Sequence, residues 1–96
     1  MRRLSMTTLT PAQIETELRA VPCWSQEGQS IARTLQFKDF AAAIAFVNKV
    51  ATLADEAWHH PDIDVRWNTV RLTLTTHDAG GLTDRDFSLA ASIDAL

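Results

Sequence analysis

The chain is poor in the features that staple small proteins, cross membranes or grip polyanions. Cys23 is its only cysteine, which excludes an intramolecular disulfide framework. It reads as a small, partly buried apolar side chain in a reducing compartment. Nine Lys and Arg stand against twelve Asp and Glu, for a net charge of −3, and no stretch is a basic run. A nucleic-acid binder needs cations to displace counterions from phosphates, so direct nucleic-acid contact is not expected. The longest apolar stretch, Phe40 to Val47, is too short to span a bilayer. Met1-Arg2-Arg3-Leu4 is not followed by an apolar run of signal-peptide length. The expectation is a soluble, cytoplasmic protein with no membrane partner. Neither HExxH nor paired-cysteine spacing is present, so no metal site is expected. No serine lies in a nucleophile-elbow pattern, and Cys23 is far from the histidines in sequence. There is no internal repeat, low-complexity segment or linker. The 96 residues make one domain, 1–96, with disorder expected only at about residues 1–8.

What is there alternates between helical and strand periods. Thr10-Pro11-Ala12-Gln13 is a capping box with proline at the first helical position, and Leu9 and Ile14 are spaced as a staple around it. Ile14, Leu18 and Val21 follow on one face until Pro22 stops the helix. Cys23 to Gln26 reads as a short strand, Glu27-Gly28-Gln29 as a turn and Ser30 to Phe37 as a second strand, the two forming a hairpin. Arg33 falls on the apolar side of that strand and is expected to snorkel near an edge. From Phe40 to about Trp58 the apolar residues keep helical spacing behind a capping Asp39. They form two stripes, Phe40-Ile44-Val47-Ala51-Ala54 and Phe46-Val50-Leu53-Ala57. So broad a face suits a helix that lies on a sheet and also touches another subunit. Pro61 is expected to end this helix at or before His60, leaving His59 near its last turn. Ile63, Val65 and Trp67 alternate with Asp64 and Arg66 as a third strand, with Trp67 on its apolar face. Asn68-Thr69 turns into a fourth strand, Val70 to Thr75. Thr83 and Asp86 repeat the capping box and open a last helix. The order helix, two strands, helix, two strands, helix predicts an α+β fold: a four-stranded antiparallel sheet with three helices on one face.

The chemistry-bearing stretch is Asp55-Glu56-Ala57-Trp58-His59-His60-Pro61. Asp55 and His59 are four apart, so on a helix they share a face and can hydrogen-bond. A carboxylate beside an imidazole fixes the ring and favours its protonated form. His60 is turned away by Pro61, and His77 lies at a strand end, where loops build sites. Three converging imidazoles would give and take protons near neutral pH. Each part also has a plain structural reading. Histidines near a helix C-terminus meet the macrodipole favourably, Asp55 suits a solvated helix surface, and the capping box accounts for Asp86. Trp24, Trp58 and Trp67 suit a core or an interface, with Trp58 placed to shape the rim of a site.

Taken together, Asp55-x-x-x-His59-His60-Pro61, Trp67, His77 and Asp86 form an ordered pattern that resembles the pterin-4a-carbinolamine dehydratases. The likeness extends to Trp24, to Phe37-Lys38-Asp39-Phe40, and to Leu72 through His77 followed by Gly81 through Asp86. The resemblance implies loss of water from a 4a-hydroxytetrahydropterin to give a quinonoid dihydropterin, with no cofactor, because the pterin is the substrate. It implies His59 and His77 as the acid–base pair and His60 as a pterin-holding residue, the three roles being exchangeable. Asp55 would orient His59, Asp86 would support the site, and Trp24 would lie near the pocket. It also implies a homodimer or homotetramer built through sheet edges and helices, with an aromatic amino acid hydroxylase as the enzyme whose pterin is recycled. Two other functions stay open: a dimerisation module serving as a transcriptional cofactor, as in some animal members, and a pterin enzyme of molybdopterin metabolism.

Overall fold

In the computed structural model, which describes residues 7–96, three helices cover one face of a four-stranded antiparallel sheet. The expected N-terminal disorder falls largely on residues outside the described ones. From Thr7 onward the chain is placed, and the Leu9 N–H donates to Leu82 O.

Helix α1 (Pro11–Leu18) starts as the sequence dictates: Thr10 Oγ1 accepts from Gln13 N, and the Gln13 side chain accepts from Thr10 N. It buries Ile14, and ends earlier than Pro22 requires. Strand β1 is Ser25–Glu27 and β2 is Ser30–Gln36. The turn between them is made by Gly28, whose φ of 61° is open to glycine without strain. Helix α2 runs Phe40–Ala57, capped by the Asp39 carboxylate on Ala42 N. Strands β3 (Asp62–Arg66) and β4 (Thr69–Leu74) make the second hairpin, and α3 spans Asp84–Asp94.

The sheet order is β1-β2-β4-β3. The two hairpins therefore join through their second strands, with Ile31 opposite Leu74 and Leu35 opposite Val70. Strand alternation then puts Ile31, Val70, Leu72 and Leu74 on the helix side, where all four are fully buried. Each such side chain contributes about 1.5–3 kcal/mol relative to exposure. The opposite face is polar, and there Arg71 bonds Glu27 and Thr34. The Glu27 carboxylate raises the Arg71 pKa further above its already high range.

Arg33 lies near an edge, as expected: β1 pairs with β2 only as far as Ala32, so Arg33 has a ladder partner on the β4 side alone, and its guanidinium bonds Asp94 Oδ1 at 2.5 Å. Two expectations are corrected. Trp67 is not on an apolar strand face: with Asn68 it forms the β3–β4 turn, 67% exposed with φ 52°. The buried line of α2 is Ala43, Val50 and Ala54, which runs between the two expected stripes and leaves Phe40 52% exposed.

A non-glycine residue in the left-handed region costs roughly 1–2 kcal/mol. Trp67→Gly removes that strain and gives up little burial. The expected outcome is a gain of about 1 kcal/mol, read as a higher denaturant midpoint with an unchanged slope.

Candidate active site

The site begins with how α2 stops. Trp58 takes the left-handed conformation, φ 52° and ψ 39°. Its N–H donates to Asp55 O, and the His59 N–H reaches back to Ala54 O. This pair of bonds is the Schellman closure, normally made with glycine. Both histidines therefore lie beyond the helix, which ends before His60 as expected, with His59 bonded back to its last turn. Trp58, not Pro61, ends the helix.

That reversal exchanges the expected partners. Asp55 does not meet His59; its Oδ1 lies 2.9 Å from His60 Nε2, in a pair whose side chains are 79% and 60% exposed. His59 is instead buried against α3, with Nε2 2.6 Å from Asp86 Oδ1. Asp86 is fully buried. Its second oxygen, Oδ2, accepts from Thr76 Oγ1 at 2.8 Å and from Thr83 N at 2.9 Å. The capping box read from the sequence is present, and the same carboxylate that caps α3 also anchors a histidine.

His77 opens a short 3-10 turn, His77–Ala79, after β4, and is exposed. Gly80 closes that turn at φ 77°, a backbone setting that suits glycine. A cavity of about 230 Å³ is lined by His59, His60 and His77 together with Trp58, Thr76 and Arg85. The three imidazoles named from the sequence thus border one space. Trp58 stands at its rim, 82% exposed. Trp24 does not line it: the indole is buried and its Nε1 donates to Asp94 Oδ1 at 2.8 Å, tying the first hairpin to the end of α3. A neighbouring cavity of about 360 Å³ between α2 and α3 shares His59 and Arg85 with the first.

Arg85 and Thr76 were missed by sequence reasoning. Arg85 donates to Trp58 O at 2.5 Å and so ties the start of α3 to the cap of α2. Its signal was its place inside the Thr83–Asp86 capping box. The signal for Thr76 was its place in the Leu72-to-His77 segment of the resemblance, directly before His77. Among the described residues no group of three or more His, Cys, Asp or Glu is arranged to hold a metal ion, and no helix is long and apolar enough to cross a membrane.

Three histidines border a small cavity on an α+β domain, and one of them is anchored on a buried carboxylate. The chain belongs to the pterin 4 alpha carbinolamine dehydratase family, whose model matches residues 7–96. It is 60% identical over 91 residues to a protein of Acidobacterium capsulatum that bears this family's name, covering 95% of this chain and 99% of that one. A relative of the same name from Nocardia farcinica is 55% identical over 93 residues, 95% of this chain and 98% of that one. Among solved structures, a transcriptional coactivator/pterin dehydratase from Brucella melitensis superposes with a TM-score of 0.89 at 33% identity, covering 93% of this chain and 97% of that one. A pterin dehydratase-like protein identified as a RuBisCO assembly factor of the alpha-carboxysome gives 0.61 at 25% identity, covering 75% and 83%.

The two carboxylate–histidine pairs should differ sharply in stability. Asp86→Ala leaves the buried Thr83 N–H, the Thr76 hydroxyl and His59 without their acceptor, and is expected to cost about 3 kcal/mol or more. Asp55→Ala breaks only a solvated pair and should cost less than about 1 kcal/mol. Urea denaturation of the two variants side by side checks the contrast.

Proposed function

We propose that this protein is a 4a-hydroxytetrahydropterin dehydratase. The observation that carries the reading is the set of three histidines on one cavity, with His59 held by a buried carboxylate. Dehydration removes the C4a hydroxyl and the N5 proton together and yields the quinonoid dihydropterin and water. It needs one group to give a proton to the leaving hydroxyl and another to take the N5 proton. His77, exposed at the cavity mouth, gives the proton. His59 takes the other, and the Asp86 carboxylate stabilises the imidazolium that forms. Both rings then exchange protons with water to restore the starting state. His60, steadied by Asp55, holds the pterin, and Trp58 offers its indole as a flat rim against the ring system. No cofactor is required, since the pterin itself is the substrate. The product is the form that a reductase returns to the tetrahydropterin used by an aromatic amino acid hydroxylase.

A homo-oligomer fits the exposed apolar groups. Ile63 on the edge strand β3 is 37% exposed and Phe40 on α2 is 52% exposed, and both positions suit association through sheet edges and helices. The same surfaces, and the names of the two solved neighbours, support a second reading, a protein-binding module.

A stopped-flow assay with 4a-hydroxytetrahydropterin separates the two. Wild type is expected to accelerate water loss, and His59→Ala/His77→Ala to lose about 10²- to 10⁴-fold of that acceleration. His60→Ala should raise KM more than it lowers kcat. A wild type that forms its oligomer yet gives no acceleration would sink the dehydratase reading.

A further inference from the structure

The buried cluster around Asp86 contains two threonine hydroxyls that the proposed chemistry does not use. Their protons can be placed by counting donors and acceptors. Thr83 Oγ1 accepts from the backbone N–H groups of Arg85 and Asp86. Both lone pairs are then occupied, so in its 2.8 Å contact with Thr76 Oγ1 the Thr83 hydroxyl is the donor. Thr76 Oγ1 accepts that proton and spends its own on Asp86 Oδ2. With Thr83 N–H on the same oxygen, Asp86 Oδ2 accepts from two donors and carries no proton of its own, and of the remaining carboxylate oxygen and an imidazole nitrogen the nitrogen is ordinarily the more basic. The proton of the 2.6 Å His59–Asp86 contact therefore sits on His59 Nε2. Every hydrogen in the cluster points one way, toward the carboxylate. The ring nitrogen left to act on a ligand is Nδ1.

Resting on the dehydratase reading, we propose that Thr76 is a positioning residue of the reaction: its hydroxyl, oriented by Thr83, holds Asp86 so that His59 stays the Nε2–H tautomer and works through Nδ1. Thr76 lies directly before His77 and lines the same cavity. One residue thus links the carboxylate that anchors the first imidazole to the turn that carries the second. Without its hydroxyl, Thr83 loses its acceptor and Asp86 a donor, and the carboxylate is free to rotate away from Nε2.

The test combines kinetics with ¹⁵N NMR of the histidine rings in the full-length protein. Wild type should show His59 as a single Nε2–H tautomer. Thr76→Val keeps the shape and removes the hydroxyl. It is expected to lower kcat about ten-fold, as loss of an outer-shell partner typically does, to leave KM within about two-fold, and to show both His59 tautomers. Thr76→Ser restores the hydroxyl and should recover kcat to within about three-fold of wild type, with the single tautomer. A mixed tautomer in wild type overturns the proposal whatever the activity and whether or not the valine variant folds. Wild-type kcat in a folded Thr76→Val overturns it as well. An inactive wild type with a single Nε2–H tautomer instead removes the dehydratase reading, and with it the catalytic role of Thr76, while the proton arrangement stands.

Discussion

The buried His59–Asp86 contact is the constraint on which the site depends. A carboxylate with no solvent exposure is tolerable only when its oxygens are bonded. Three different segments supply the donors: the residue after the α2 cap, the residue that caps the turn after β4, and the N-cap of α3. The bond is therefore a device for holding these segments together. It brings His59 to one side of the cavity and, through Thr76, sets the start of the turn that carries His77.

The geometry divides the histidines by environment. His60 and Asp55 face water, where an ion pair is weak and easily rearranged. His59 and Asp86 are out of water, where the same pair of groups is held in one arrangement. A base in an elimination gains most from the second setting, because its carboxylate partner is in place before the proton arrives and needs no reorganisation. A group that mainly holds a ligand can work from the first.

Much of this was legible in the sequence, and the failures share a cause. The capping boxes at Thr10 and Thr83, the hairpins and the element order follow from local patterns and were read correctly. So was the grouping of His59, His60 and His77 around one space. The partner of His59 was not. Four-residue spacing pointed to Asp55, but that rule holds only inside a helix, and α2 ends two residues before His59. The left-handed cap at Trp58 hid this, because a tryptophan gives no sign of a conformation usually left to glycine. Trp67 misled for the same reason: its alternation with Val65 suggested a strand, while the backbone turns there. The Arg33–Asp94 bond was not legible either, because a contact between residues 61 apart is a long-range property, which no local period records.

The same point bears on how Asp86 should be understood. As a capping residue it needs no function, and its sequence context is complete without one. Its second oxygen caps Thr83 N, and its first is then available at no further structural cost to hold an imidazole. A helix start thus doubles as the anchor of a buried imidazole. The economy has a consequence for change at this position. Substituting Asp86 disturbs helix, loop and histidine together, so its loss cannot separate folding from the proposed chemistry. Thr76 touches the same carboxylate without capping the helix, and it is there that the two contributions come apart.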